Sequence, residues 1–564
     1  MTAACHRLIV AGSGSGVGKT SLTLGLVRAF ARRGLRVQTF KVGPDFLDPT
    51  YLAAASGRDC YNLDGWMTSR DYVRDLFATV TADADLAVIE GVMGLFDGAS
   101  PCGLEGSTAE IALWLDAPVL LVLHAHGVAR SLAAAVKGFA EFEPGVRFAG
   151  VIANHCGSAR HKDWLGRSLA QWPNLPPLLG AVPRGAMPTL ESRHLGLVTA
   201  DSRLDAAILD QLADVCGEHL DLERLLETSR NGASAPPRIG ETTSGGLSQF
   251  SFDENGTVPF GSARIASCLD RAIPSPPGHH AQHGRLPQRE RGIIGEPPSD
   301  SQETTVRIGI ARDEAFHFYY ADNLQQLRRH GAELVPFSPL SDAALPEGLD
   351  ALYFGGGYPE LYAARLGANT LLLESVRQLA AAGRCIYAEC GGLMYLGRSL
   401  VTLDGDRFLM AGVLPIDTRM LKRRKMLGYA QVELAADSLW GPPGWRCRGH
   451  EFHYSEIAAD DSRGQGWQPA YVVRNARGDR ERDEGTISPA RKNVTRTIGR
   501  IANPSYEIPA PRDDSSSRGD RATEAEGFAR GSILASYIHL HWAADTAAVR
   551  HFLARCLADC KGHS

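Results

Sequence analysis

Residues 7–11, Arg-Leu-Ile-Val-Ala, form a short apolar run that ends in Gly12-Ser-Gly-Ser-Gly-Val-Gly-Lys-Thr20. A helical pattern follows over roughly 19–33 and is closed by Gly34. A glycine-rich turn between a strand and a helix lets backbone N–H groups converge on phosphate oxygens, and the helix N-terminus adds its partial positive charge. This arrangement demands a strand-then-helix architecture. Further short apolar runs recur at Val37–Phe40, Leu86–Ile89, Pro118–Leu123 and Phe148–Ala153. Strands alternating with helices predict βα units and a parallel sheet, here over residues 1–230.

The chain then changes character. Residues 231–304 are rich in Ser, Gly, Pro, Gln and Thr, as in Pro274-Ser-Pro-Pro-Gly-His-His-Ala-Gln-His283, and read as a disordered linker or insertion. A second α/β domain is predicted over 305–564, with strands at Val306–Ala311, Ala351–Gly357, Cys385–Cys390 and Ser532–Ile538. A polar insertion at about 474–527 interrupts it. At 564 residues and 44% hydrophobic, the chain is long and apolar enough for two or three domains. Its formal net charge of −5 provides no basic field for nucleic acid. The 11 cysteines include no CxxC pair, which argues against a zinc site and for a reducing, cytoplasmic setting. No signal peptide or membrane-spanning run is evident, and Asn493-Val-Thr reads as a chance glycosylation triplet.

Two sets of residues carry chemistry. In the first domain, Lys19 would reach the β- and γ-phosphates of ATP and the Thr20 hydroxyl would ligate Mg2+, with Gly12, Gly16 and Gly18 shaping the loop. Phe40-Lys-Val-Gly-Pro-Asp-Phe-Leu-Asp-Pro49 places Lys41, Asp45 and Asp48 at a strand end, where ligands of α/β sheets bind. Glu90 closes another strand in Val88-Ile-Glu-Gly-Val-Met-Gly-Leu-Phe-Asp-Gly98; Asp97 in that segment reads as metal-facing or turn-forming. One cation and three carboxylates beside a phosphate loop point to Mg2+, phosphate and an activated substrate.

In the second domain, Ala388-Glu-Cys390-Gly-Gly-Leu is a strand-to-helix turn carrying a cysteine, and Tyr537-Ile-His-Leu-His-Trp542 supplies late histidines. A cysteine on such a turn, a histidine base and backbone oxyanion donors hydrolyse glutamine in class I amidotransferases. Cys390 is the candidate nucleophile, with thiolate favoured by the following helix N-terminus. His539 is the candidate base, His541 the alternative, and Gly355–Gly357 the candidate oxyanion turn. The His-x-Glu spacing that supplies an orienting carboxylate is absent; Glu389 and Glu451 are the available acids, left unplaced by sequence.

The loop reads GxxxxxGKT, one residue longer than the usual GxxxxGK[ST], and in this it resembles the dethiobiotin synthetase group. The whole set of motifs resembles the cobyrinate a,c-diamide synthases, including the hydrogenobyrinate-using form. The segments carrying the resemblance are those above together with Asn62-Leu-Asp64, Arg193-His-Leu-Gly-Leu-Val198, Phe354-Gly-Gly-Gly-Tyr-Pro-Glu360 and Gly449-His-Glu-Phe-His-Tyr454. They run in family order over roughly 7–228 and 306–560. The resemblance implies an N-terminal P-loop NTPase-like domain and a C-terminal class I glutamine amidotransferase-like domain. It implies amidation of the a and c acetate carboxylates of a corrin tetrapyrrole through a phosphorylated carboxylate, with ATP and glutamine as co-substrates and Mg2+ as cofactor. It further implies that Asn154, in Ile152-Ala-Asn-His, reads adenine, that Arg193 and His194 face corrin carboxylates, and that no nucleic acid or membrane is bound; a homodimer is possible. The rivals are cobyric acid synthase, a nickel-sirohydrochlorin diamide synthase, and a P-loop switch ATPase, which would leave Cys390 and His539 unexplained.

Overall fold

The computed structural model describes residues 5–188, 192–193, 196–197, 206–230, 305–474 and 524–561. The stretch 231–304, most of 474–527, His194 and the side chain of Arg193 lie outside the described residues.

The N-terminal half alternates β1 (His6–Gly12), α1 (Lys19–Arg32), β2 (Val37–Val42), α2 (Leu47–Ser56), β3 (Tyr61–Leu63), α3 (Arg70–Val80), β4 (Leu86–Glu90), α4 (Thr108–Leu115), β5 (Val119–His124), α5 (Ser131–Phe142), β6 (Phe148–Cys156), α6 (Ala159–Ala170) and β7 (Leu178–Pro183). The strands form one sheet in the order β3-β2-β4-β1-β5-β6-β7, parallel throughout. Period-two alternation divides each strand between two cores. Ile9, Ala11, Ala87, Ile89, Leu121 and Leu123 face one; Leu8, Val10, Leu86, Val88, Leu120 and Val122 face the other, beneath α1. Both faces are covered, so the strands read as continuous apolar runs. Two-residue strands β8 (Ser192–Arg193) and β9 (Gly196–Leu197) pair with each other.

The C-terminal half contains three sheets. Strands β10 (Val306–Ala311), β11 (Ala332–Phe337), β12 (Ala351–Phe354) and β13 (Cys385–Glu389) are followed by β14 (Ser399–Val401), β15 (Arg407–Leu409), β16 (Ile416–Met420), β17 (Met426–Leu434), β18 (Arg446–His453), β19 (Ser455–Asp460) and β20 (Tyr471–Arg474). After them come β21 (Glu524–Glu526), β22 (Phe528–Arg530), β23 (Ile533–Ser536) and β24 (Ile538–Leu540). The main sheet runs β11-β10-β12-β13-β23-β22, parallel except at the β22 edge. Smaller sheets run β15-β14-β16-β19 and β21-β20-β17-β18-β24.

The expected single strand Ser532–Ile538 is two strands in two sheets. Glu526 takes the Ser536 hydroxyl at 2.6 Å and the Tyr537 N–H at 2.8 Å, while Ser536 Oγ accepts the Ile538 N–H at 2.9 Å. These side-chain bonds replace ladder bonds at Tyr537 and turn the chain, so that His539 enters the smaller sheet opposite His450. Both halves fall within one compact unit. No helix among the described residues is long and apolar enough to cross a membrane.

Candidate active sites

The phosphate loop is held from below. Gly16 and Gly18 have φ of 77° and 92°, the left-handed region that favours glycine. A Cβ on Gly18 would lie 2.2 Å from Asn154 Nδ2. That amide nitrogen donates to Val17 O at 2.9 Å, and Asn154 Oδ1 accepts the His155 N–H at 2.9 Å. Asn154, the expected adenine reader, is thus buried beneath the loop with both ends of its amide engaged. The Lys19 ammonium folds back over the loop onto Gly14 O at 2.9 Å and Met93 O at 2.5 Å. Burial, and then the nearby Lys41 ammonium, pull Lys19 below the usual lysine range. Phosphate oxygens are better partners for it than two neutral carbonyls.

Beside the loop, Lys41 lies inside β2, bonded to Asp48 Oδ2 at 2.5 Å and Glu90 Oε1 at 2.9 Å. Thr20 Oγ1 donates to the same Glu90 oxygen at 2.7 Å. Asp45 Oδ1 caps α2 through the Leu47 and Asp48 N–H groups at 2.8 and 3.2 Å. Asp97 Oδ2 accepts the Gly94 N–H at 2.9 Å, closing its turn. Burial pushes Glu90 up to about 7, with Asp48 repulsion adding to it against the pull of Lys41. Burial and Asp48 likewise raise Asp45 to about 6. Burial would raise Asp48 too, but Lys41 outweighs it and Asp48 falls below the ordinary aspartate value. Three carboxylates crowd one buried lysine, and burial with mutual repulsion raises two of them. Glu90 Oε2 is buried with no hydrogen-bond partner, an opening a divalent cation fits. Among the described residues no three His, Cys, Asp or Glu side chains form a metal cage; Mg2+ commonly keeps water and substrate phosphates as most of its ligands.

In the other half, β13 ends at Glu389 and a short helix, Gly391–Leu396, begins at once. Cys390 between them has φ 49° and ψ −104°, a strained backbone for a residue with a Cβ. Its N–H donates to Ser536 O at 2.7 Å, which pins the turn. A Cβ on Gly392 would meet Phe354 O at 2.5 Å, and one on Gly391 would meet Gly357 N at 3.1 Å. The close approach of two backbones therefore requires the glycines after Cys390. The Gly391 N–H at the helix N-terminus favours thiolate as expected, but burial first and Glu360 next outweigh it, with Glu389 and Glu451 adding to them, so that the Cys390 thiol is pushed up. The following helix is too short for its dipole to offset a fully desolvated site.

His539 packs against the Gly355–Gly357 turn, where a Cβ on Gly356 would lie 2.4 Å from its Cε1 and 3.3 Å from its Nε2. Its Nδ1 is 3.8 Å from Glu389 Oε2. Glu389 is buried and held by the Tyr387 hydroxyl at 2.7 Å, the Tyr353 hydroxyl at 2.9 Å and the Leu540 N–H at 3.0 Å. Of the two acids left open by sequence, Glu389 faces His539, while Glu451 pairs with His453 Nε2 at 2.9 Å. His541 is turned elsewhere: its Nε2 is 2.9 Å from Asp322 Oδ2, which also accepts the Tyr72 hydroxyl of α3 at 3.0 Å.

The halves meet through rings. Phe46 lies 4.5 Å from Tyr320, 5.2 Å from Phe318 and 4.8 Å from His539, centroid to centroid. Trp66 stacks on Tyr429 at 4.5 Å, the Tyr429 hydroxyl donates to Asp64 at 2.8 Å, and Arg448 donates to Trp66 O at 2.7 Å. Phe46 lies within the Phe40–Pro49 motif but has no role there by sequence, and no motif singles out Asp322, Tyr353 or Tyr387. For Tyr353 and Tyr387 the one available signal is a hydroxyl inside an otherwise apolar strand.

Residues 8–197 match the CobQ/CobB/MinD/ParA nucleotide binding domain, and residues 307–500 match the CobB/CobQ-like glutamine amidotransferase domain. Among curated proteins, the cobyrinate a,c-diamide synthase of Syntrophotalea carbinolica is 47% identical over 556 residues, covering 98% of this chain and 99% of that protein. The proteins of that name from Leptospira interrogans and Salmonella typhimurium are 36% and 35% identical, each over 98% of this chain and covering 98% and 99% of their own lengths.

Proposed function

We propose a division of labour for this chain, which belongs to the cobyrinate a,c-diamide synthase family and is a glutamine-dependent, amide-forming ligase of cobalamin biosynthesis. The N-terminal half activates a corrin acetate carboxylate with ATP; the C-terminal half releases ammonia from glutamine.

In the C-terminal half His539 takes the Cys390 proton, and the sulfur attacks the side-chain carboxamide carbon of glutamine. Because burial favours the thiol, this transfer accompanies attack and no standing thiolate is needed. Glu389 faces His539 Nδ1 and stabilises the imidazolium. The N–H groups of Gly357 and Gly391 converge on the developing oxyanion. His539 returns the proton to the leaving ammonia, and water then hydrolyses the thioester to glutamate.

In the N-terminal half Lys19 exchanges its two carbonyl partners for phosphate oxygens. Phosphoryl transfer to the carboxylate gives an acyl phosphate, and ammonia displaces phosphate to form the amide. Mg2+, bound through Thr20 and Glu90, would neutralise phosphate charge. Lys41 bridges Glu90 and Asp48 and offsets their charge, while Asp45 fixes the start of α2. Both carboxylates of a cobyrinate-type substrate would be served in turn. Buried thiols such as Cys60 and Cys216 support a cytoplasmic location.

The observation that carries this reading is the strained Cys390 turn and the His539–Glu389 pair, both packed against the Gly355–Gly357 turn, in the same unit as a Lys19 phosphate loop. The test is mass spectrometry after incubation with cobyrinate, ATP, Mg2+ and glutamine. A gain of two amides is expected. A further amidation series, or none, would refute it.

A further inference from the structure

Phe46 belongs to one site by sequence and to the other by contact. Its neighbours along the chain are Asp45, which caps α2, and Leu47, which precedes the Lys41-paired Asp48. Asn62 Nδ2 donates to Gly43 O and Asp45 O, at 2.8 Å each. Residues 41–48 are therefore tied together by side-chain hydrogen bonds at both ends. The Phe46 ring reaches out of that segment into the other half. It stacks on Phe318 with planes 12° apart and lies 4.8 Å from the His539 imidazole, at 46°. His539 has few other restraints: Nδ1 is buried without a hydrogen-bond partner, with Glu389 at 3.8 Å and Gly356 on the far side. An imidazole held by contact on three sides takes its orientation from those contacts.

We propose that Phe46 is a positioning residue that couples the two half-reactions: its ring sets the His539 imidazole, and seating of residues 41–48 by nucleotide and acceptor carboxylate sets the ring. Glutamine is then cleaved efficiently only when a carboxylate is being activated. This rests on the glutamine-dependent ligase reading above and adds the residue that links its two sites. Lys41, Asp48 and Glu90 are bonded to one another in the resting protein, and a nucleotide or acceptor carboxylate seated among them rearranges those bonds. Any shift of Asp45, one residue away, or Asp48, two residues away, is passed along the chain to Phe46.

The experiment uses the full chain with Phe46→Ala and Phe46→Tyr. Three quantities are read: glutamate formed with and without ATP, Mg2+ and cobyrinate; amide formed from glutamine; and amide formed from ammonium chloride. In the wild type, acceptor and nucleotide should stimulate glutaminase. In Phe46→Ala that stimulation should fall by about tenfold to a hundredfold, the scale of a displaced general base. Glutamate should be released in excess of amide, and ammonia-dependent synthesis should be retained. Phe46→Tyr, which keeps the ring, should restore coupling. Equal loss of ammonia- and glutamine-dependent synthesis in both variants would make Phe46 a packing residue and overturn the proposal. Full stimulation in Phe46→Ala would overturn it as well. If the wild type forms no amide from either nitrogen source, the ligase reading itself fails, a result distinct from uncoupling.

Discussion

Replacing Glu389 with glutamine isolates the group that faces the candidate base. The two side chains have nearly the same shape, and the donors from Tyr387 and Leu540 to Oε1 can remain. The new amide nitrogen then takes the place of Oε2, 3.8 Å from His539 Nδ1. Two effects follow. A carboxylate at this separation stabilises a neighbouring imidazolium by about 4 kcal/mol at an effective dielectric of about 20, or roughly a thousandfold in rate. The Glu389 charge is already shared with two hydroxyls and one N–H, so about a hundredfold is the more realistic floor. The amide N–H also favours the tautomer protonated at Nε2, the nitrogen on the Gly356 side, which cannot accept the thiol proton. Glutamine-dependent synthesis and glutaminase should therefore fall by about a hundredfold to a thousandfold, while ammonia-dependent synthesis, measured on the same preparation, stays near wild type. A variant within about fivefold of wild-type glutaminase would show that Glu389 exerts no such control.

Cys390→Ala should abolish glutamine-dependent synthesis and spare the ammonia-dependent reaction, because the thiol touches only glutamine; equal loss with both donors would contradict this. Lys19→Ala should lose about a hundredfold or more with either donor, the cost of a charged phosphate contact made in the transition state; near-normal ammonia-dependent turnover would remove this loop from the ATP site. For His541, burial alone lowers its affinity for a proton, but the Asp322 carboxylate outweighs burial and raises the pKa above the ordinary value. A raised folded-state value adds stability at pH below the ordinary histidine range, and that stability is lost as pH rises through the folded value. The Tm should therefore fall from about pH 6 upward, and His541→Gln should flatten that slope; parallel profiles for the two proteins would exclude His541 as its source.

The βα alternation was legible because strands buried on both faces leave uninterrupted apolar runs: β1, β2, β4, β5 and β6 all begin within two residues of the expected runs. What sequence could not reveal is chain direction where side chains override the ladder. Ser532–Ile538 reads as one β-rich run, yet Glu526 intercepts the Tyr537 N–H and splits it. Nor could it rank acids for His539. Glu389 adjoins Cys390 in the chain and Glu451 sits in a histidine-rich motif, so proximity and composition point in different directions. The sheet decides, because the Leu540 N–H and the Tyr353 hydroxyl bring Glu389 beneath His539. For Asn154 the motif position suggested a base reader; the structure adds what sequence could not, that a strand end directly under Gly18 gives its amide a backbone carbonyl to bind.

Both sites are drawn in a resting form. Burial and three nearby carboxylates push the Cys390 thiol up, and Lys19 is occupied by carbonyls that phosphate would displace. A standing thiolate would be open to any electrophile and would cleave glutamine without an acceptor, so a nucleophile that ionises only with its base in register conserves glutamine. That register is set by Glu389 from within the glutaminase half and by Phe46 from the other half. The asymmetry has a consequence for the order of events. On the coupling proposed above, nucleotide and acceptor seated among Lys41, Asp48 and Glu90 load the segment that contains Phe46, while Glu389 stays braced by tyrosines of the main sheet. Under that coupling, activation of the carboxylate precedes efficient release of ammonia, so that the activated acceptor is waiting when ammonia arrives.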